Sequence, residues 1–340
     1  MSPGKRGIHS PSVFRTISNG FNDFESCYGP DELEPSSLSV TPAIRIVTAA
    51  PEIPGMMSVI SECKRRNITF SIGHSAAGIE VAEQAVRSGA TLITHLFNAM
   101  QQLHHRDPGI IGLLGSDDTL PRPYYGIICD GIHIHKSCVK LAYRSHPNGA
   151  ILVTDAMAQL GLPNGTYDWT NGKRITKEGT RLHLEGEETI AGRYYPKSNL
   201  HADISAVTLD ACIRNLISWT CCSIAQAVEC VTSRPAELLG IADKKGFLKP
   251  GLDADLVIVD DEGNLYQTWK FGEKLFDVEE AEEAVVDEEE VAAAENVVSR
   301  RKRPSLAHVG SFNEAISYGE RFASPDIPID RVVSPGVKVS

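Results

Sequence analysis

Between Ile44 and Asp155 short apolar, β-rich runs alternate with stretches of helical spacing. Ile44 to Ala49 reads as a strand and Met56 to Arg66 as a helix; Ile68 to Ile72 is a second strand, and Gly78 to Ser88 a second helix closed by Gly89, where a left-handed cap suits glycine. Thr91 to Thr94 gives a third strand. After a loop rich in His, Asp, Pro and Gly, Tyr125 to Cys129 gives a fourth, Lys136 to Ser145 a helix, and Ile151 to Thr154 a fifth strand. Five strands with three helices between them predict parallel βα units of the α/β class rather than a sandwich.

The polar residues fall at the ends of these strands: Glu52, His74, His95, Asp130 with His133, and Asp155. In a (β/α)8 barrel the C-terminal strand ends converge on one face, so residues far apart in sequence share one site. A single strand-terminal histidine is usually an ordinary loop or core residue. Two of them 21 residues apart on consecutive strands, with an Asp ending the last, point instead to metal-assisted hydrolysis. Neutral imidazoles suit Zn²⁺ or another divalent ion, which lowers the pKa of bound water, and Asp155 is placed to act as general base. Arg106, in the loop His104 to Gly109, offers a planar fork suited to a phosphate or carboxylate.

Composition narrows the class. The chain has 340 residues, 42% hydrophobic and 23% charged, which excludes disorder throughout and a disulfide miniprotein. Its apolar runs are far shorter than the roughly 20 residues of a bilayer span, and the start lacks the apolar core of a secretory signal, so a cytoplasmic location is expected with no membrane partner. Eight cysteines without a C-x-x-C pair read as reduced thiols. Of the net charge of −11, residues 277–340 contribute −7, from 14 acidic and 7 basic side chains; the remaining −4 gives nucleic-acid binding no electrostatic support. Residues 277–340 read as an acidic then basic disordered tail. Its Arg300–Arg303 cluster is a weak candidate for nuclear import, read first as solvated charge.

Five motifs then carry a resemblance. Gly73-His74-Ser75, Thr94-His95-Leu96-Phe97-Asn98-Ala99-Met100, His105-Arg106-Asp107-Pro108-Gly109, Asp130-Gly131-Ile132-His133 and Val153-Thr154-Asp155-Ala156 resemble, in order and spacing, the motifs of the N-acetylglucosamine-6-phosphate deacetylase family. That family belongs to the amidohydrolase superfamily of metal-dependent TIM barrels, and the likeness runs from about Ser2 to Phe276. The resemblance implies a TIM-like (β/α)8 amidohydrolase barrel, incomplete here with about five of eight strands, over residues 1–245. It implies the C-terminal strands of a small β-sandwich over 246–276. It implies His74 and His95 as ligands of a divalent metal ion, zinc before others, and Asp155 as catalytic acid/base with His9 polarising the substrate carbonyl. It further implies Ile8, Asn98, Ala99, Arg106, the run Asp130, Gly131, Ile132, His133, and the turn Ile190, Ala191, Gly192 as substrate contacts. The reaction implied is hydrolysis of the acetamide of N-acetylglucosamine 6-phosphate by metal-activated water, in a homodimer.

The sequence also departs from that family. The family's H-x-H strand and H-L-E-G-P strand, whose Glu is a metal ligand, are expected upstream of Met1, and residues 193–205 have no family counterpart. Glu52 reads as a supporting residue, and His183-Leu184-Glu185-Gly186 as a chance likeness to the missing motif. Two imidazoles alone make a poor hydrolytic site, so little or no metal-dependent deacetylase activity is expected of residues 1–340 by themselves. The alternatives are a catalytically impaired relative acting as a binding or regulatory protein, and, with less support, a dihydroorotase-like amidohydrolase.

Overall fold

The computed structural model describes residues 19–35, 42–116, 119–169, 172–184 and 204–281. At its centre β1 (Ile46–Ala49), β2 (Thr69–Ile72), β3 (Leu92–Ile93), β4 (Tyr124–Ile128) and β5 (Ala150–Val153) form one parallel sheet, hydrogen-bonded in chain order. A helix α1 (Phe21–Tyr28) precedes the sheet; α2 (Met56–Arg65), α3 (Ile79–Ser88) and α4 (Lys136–Ser145) lie between strands. Monotonic order without a switch point belongs to a βα barrel rather than a doubly wound sheet, because right-handed crossovers then place every helix on one side. β2, β4 and β5 are largely buried along their length, as strands covered on both faces are, whereas the outermost strand β1 alternates exposed and buried. Phe70, Ile72, Ile93, Leu96, Tyr125 and Ile127 form the heart of the core.

The sheet is curled, and the helices after it show this. α5 (Leu209–Thr220) packs on α4 and β5, and is followed by α6 (Ile224–Glu229) and α7 (Ser233–Leu238). Arg234 in α7 donates to the Ala150 carbonyl at the start of β5 (3.2 Å), and the Leu238 carbonyl accepts from Thr69 Oγ1 at the start of β2 (3.4 Å). Tyr124 at the start of β4 donates to Glu237 (3.3 Å), and Arg45, just before β1, bonds the Leu239 carbonyl. In a flat sheet β1 and β5 would lie roughly 19 Å apart at the usual strand spacing. A six-residue helix is about 9 Å long, and its contacts with the starts of β1, β2, β4 and β5 fit strand starts that bend toward each other.

Beyond β5 the expected strand-then-helix rhythm stops. The chain instead forms an antiparallel sheet of β6 (Gly165–Asp168), β7 (Arg174–Glu178), β8 (Arg181–Leu184) and β9 (Ile204–Ser205), with its own small core of Ile175, Leu182 and Ala206. A one-residue alternation of half-buried and exposed side chains with few apolar positions hid these strands. His183, the first residue of the chance likeness to the missing motif, sits in β8 opposite Thr176. The β3 segment is followed not by an α-helix but by a 3₁₀ stretch, Gly109–Gly115.

The last sheet is antiparallel: β10 (Leu256–Val259), β11 (Leu265–Lys270) and β12 (Glu273–Asp277). The boundary expected at 276 falls inside β12, where the Asp277 carboxylate accepts from Gln267 Nε2 (2.8 Å) and Lys274 Nζ (2.9 Å). Ile8, His9, Glu185, Ile190, Ala191, Gly192, most of the 193–205 segment and the tail from 282, with Arg300–Arg303, lie outside the described residues.

Candidate functional site

Each parallel strand hands over to a loop at its C-terminal end, and the polar residues stand there. His74 follows β2 and His95 follows β3; their Nε2 atoms are 3.1 Å apart and their rings meet edge to face, centroids 4.9 Å apart. His95 is 7% exposed, and its Nδ1 is buried with no hydrogen-bond partner among the described residues. Burial pushes the His95 imidazole down from its ordinary pKa, while the nearby Asp155 charge pulls the other way and His133 adds to the depression. Asp155 and His133 therefore share one neighbourhood with the histidine pair. Asp155 itself is exposed after β5.

The backbone at this rim is strained. His74, His95, Phe97, Ala99 and Asp155 adopt φ of 50°, 26°, 77°, 50° and 48°. Left-handed backbone is disfavoured for L-residues by roughly 1–2 kcal/mol each, and non-glycine outliers gather where surrounding structure over-determines them. Here the determinants are visible. The Ser75 N–H donates to the Ala99 carbonyl (3.1 Å), tying the loop after β2 to the loop after β3. Asn98 N–H donates to the His95 carbonyl (3.0 Å), while Asn98 Nδ2 is buried and has no hydrogen-bond partner among the described residues.

Glu52, in the loop after β1, supports the segment that carries His74. Its carboxylate accepts from Ser75 Oγ (2.6 Å) and the Ala76 N–H (2.6 Å), the two residues that follow the histidine. Asp107 does a related job: it accepts from the N–H groups of Ile79 (2.9 Å) and Gly109 (3.1 Å), which hold its carboxyl below the usual range and fasten the start of α3. Arg106 stands exposed beside this anchored residue.

After β4, Asp130 and His133 form a closed unit, with Asp130 Oδ2 2.6 Å from His133 Nδ1. Burial would raise the Asp130 carboxyl, but the His133 bond and the N–H groups of Ile132 and His133 override it and the net shift is downward. α5 fixes this loop: Asn215 Nδ2 donates to the Cys129 carbonyl (2.8 Å), and Gly131, at φ 75°, lies so close to the Trp219 ring that a Cβ would approach it to 3.4 Å. Asn215 and Trp219 carry no motif in the sequence. Only their four-residue spacing, one helical turn, marks them as neighbours on one face.

The geometry suits part of a metal centre. Two imidazole nitrogens converging to 3.1 Å are compatible with joint coordination of one ion, with Asp155 close by. Among the described residues no group of three or more His, Cys, Asp or Glu side chains is arranged to hold a metal.

Comparison with known proteins gives the chain a family. A model of the Amidohydrolase family matches residues 35–281. The N-acetylglucosamine-6-phosphate deacetylase of Danio rerio is 40% identical over 279 residues, 81% of this chain and 63% of the relative. The chain thus spans somewhat less than two thirds of the length of the curated relatives it matches first. Among solved structures, the N-acetylglucosamine-6-phosphate deacetylase of Thermotoga maritima superimposes with a TM-score of 0.65 at 27% identity, covering 82% of this chain and 67% of the other. A mutant of the Mycobacterium smegmatis enzyme in complex with N-acetyl-D-glucosamine-6-phosphate gives 0.66 at 26% identity, over 81% and 66%. With the family match covering most of its length and the histidines and carboxylates gathered on the C-terminal rim of a parallel sheet, the chain belongs to the amidohydrolase family.

Proposed function

We propose that this chain carries the catalytic rim of an N-acetylglucosamine-6-phosphate deacetylase, hydrolysing the acetamide to glucosamine 6-phosphate and acetate. The observation that supports it most is the convergence of His74 and His95, with Asp155 close enough to act on His95, in a chain 40% identical to such an enzyme. His74 and His95 would hold a divalent ion, zinc before others as a metal that imidazole commonly ligates, which would supply a water made acidic enough to ionise near neutrality. Asp155 would serve as the general acid/base, its carboxylate taking up a proton and returning it to the leaving nitrogen. Asn98 and Ala99, with the 130–133 loop, line the sugar, Arg106 binds its phosphate, and His9 with Ile8 and the turn 190–192 complete the pocket. A cytoplasmic homodimer is the setting we assign; the free thiols of all eight cysteines favour the first part. No helix among the described residues is long and apolar enough to cross a membrane.

A second reading has its own observation. Two imidazoles without a third ligand among the described residues favour a chain that binds the sugar phosphate and turns it over poorly. Acetate release and bound metal, measured together, separate the two. For the enzyme reading, Asp155→Asn retains the metal and loses about 10²–10⁴-fold in turnover, whereas His74→Ala or His95→Ala releases the metal. Near-normal turnover by Asp155→Asn with its metal in place would overturn the role of Asp155. Binding of N-acetylglucosamine 6-phosphate without acetate release from the parent chain would establish the second reading.

A further inference from the structure

The Asp130 carboxylate is not free to meet a ligand. Its side chain is 1% exposed, and its oxygens are divided among donors of its own loop. Oδ1 accepts the backbone N–H groups of Ile132 (2.9 Å) and His133 (2.9 Å), and Oδ2 faces His133 Nδ1 at 2.6 Å. An ionised carboxylate only accepts, so the proton in the last bond belongs to Nδ1. Nε2 is then the remaining hydrogen-bonding atom of the ring, on a side chain 7% exposed and near enough to His95 to act on it.

We propose that Asp130 is a positioning residue that selects the Nδ1–H tautomer of His133, so that the site meets a bare Nε2 accepting a hydrogen bond from a hydroxyl of the ligand. The partner of one imidazole nitrogen decides the state of the other. The identity of the hydroxyl-bearing ligand rests on the amino-sugar phosphate reading; the tautomer does not.

The loop makes one substitution unusually informative. In Asp130→Asn only the amide oxygen can satisfy the two backbone donors at the Oδ1 position, which turns the new amide nitrogen toward His133. An N–H₂ group there demands an acceptor, so His133 must carry its proton on Nε2 and the site-facing atom becomes a donor. Backbone packing is unchanged while the chemistry presented to the ligand is inverted.

The test is nitrogen NMR of the full chain labelled with ¹⁵N-histidine, at a pH where the imidazoles are neutral. The His133 signals are identified by their loss in His133→Gln. The expected result is a protonated Nδ1 and a bare Nε2 in the parent chain, exchanged in Asp130→Asn. A parent His133 protonated on Nε2 would overturn the proposal, as would an Asp130→Asn variant that folds and keeps the parent tautomer. Should that variant fail to fold, the parent spectrum alone decides. No turnover is needed, so failure here and failure of the deacetylase reading are read separately.

Discussion

Gly73 separates β2 from His74 and has no room for a side chain. A Cβ there would lie 2.7 Å from Thr48 Cγ2, in β1, and 2.7 Å from Thr94 Cβ, just after β3. Thr94 also bonds Ser71 Oγ, and Thr48 Oγ1 lies 3.3 Å from Thr94 Oγ1, so the two walls are tied to one another and to β2. Overpacking of this kind is destabilising by about 1–3 kcal/mol. Gly73→Ala is therefore expected to lower stability by that amount in a denaturant titration, and to move His74 away from His95. The second effect is read as weakened metal binding relative to the parent chain; an unchanged midpoint and unchanged metal uptake would refute the crowding argument. The same closeness explains why the G-H-S word needs its first letter: the histidine can turn inward only where the residue before it leaves the strands in contact.

Among the elements, α1 and α2 are joined by charge as well as by packing. Arg66, just after α2, is buried, lies 4.2 Å over the Phe21 ring, and pairs with Glu25 (2.9 Å), Glu34 (2.9 Å) and Glu62 (2.8 Å). The bond from Arg65, with help from Arg66, holds the Glu62 carboxyl down at about 2 against an ordinary 4.5. A depressed folded-state pKa stabilises the fold above the unfolded value and loses that contribution as pH falls toward the folded one. Stability should thus decline between about pH 4.5 and 2, and Glu62→Gln should flatten this limb in acid unfolding followed by circular dichroism. An acid limb of unchanged slope would remove Glu62 from the account. α1 itself was not legible in the sequence: its eight residues mix Asn, Asp, Glu and Ser with three aromatics, and what makes it a helix is the cluster around Arg66, a long-range event. The β1–β5 strands and α2–α4 were legible to within a residue or two because each buries a clear apolar face. β6 to β8 were missed although Asn171-Gly172 and Gly179 are turn signals, since among the described side chains of those strands only Ile175 and Leu182 are buried and apolar. Of the site, His74, His95, Asp130, His133 and Asp155 were legible from their place at strand ends. The clamp by Asn215 and Trp219 was not, because it depends on how α5 returns beside the loop after β4.

At the scale of the whole molecule, α7 closes the end of the curled sheet opposite the rim. Arg234 is the centre of that closure: its side chain is 7% exposed, and it bonds the Ala150 carbonyl, Cys230 Sγ (2.8 Å) and Glu229 (2.9 Å). With the Leu152 N–H bound to the Cys230 carbonyl (3.1 Å), the outer edge of β5 is satisfied from the α6–α7 junction. Arg234→Leu keeps the bulk but strands a buried carbonyl, for which about 1–3 kcal/mol is typical. The expected outcome is a destabilisation of that size, with faster hydrogen exchange at β5 amides; protection at β5 equal to the parent would show that α7 does not guard this edge. The opposite rim poses a problem for anyone who would make the protein sturdier. Glycine at His74, His95, Phe97, Ala99 or Asp155 would relieve left-handed backbone, so a library selected for heat resistance alone finds its readiest gains there. Those are the positions whose side chains or loops form the site, and a hardened descendant would be a blunted one. Selection for endurance and selection for chemistry pull this rim in opposite directions, and the scaffold below it is where the first can proceed without harm to the second.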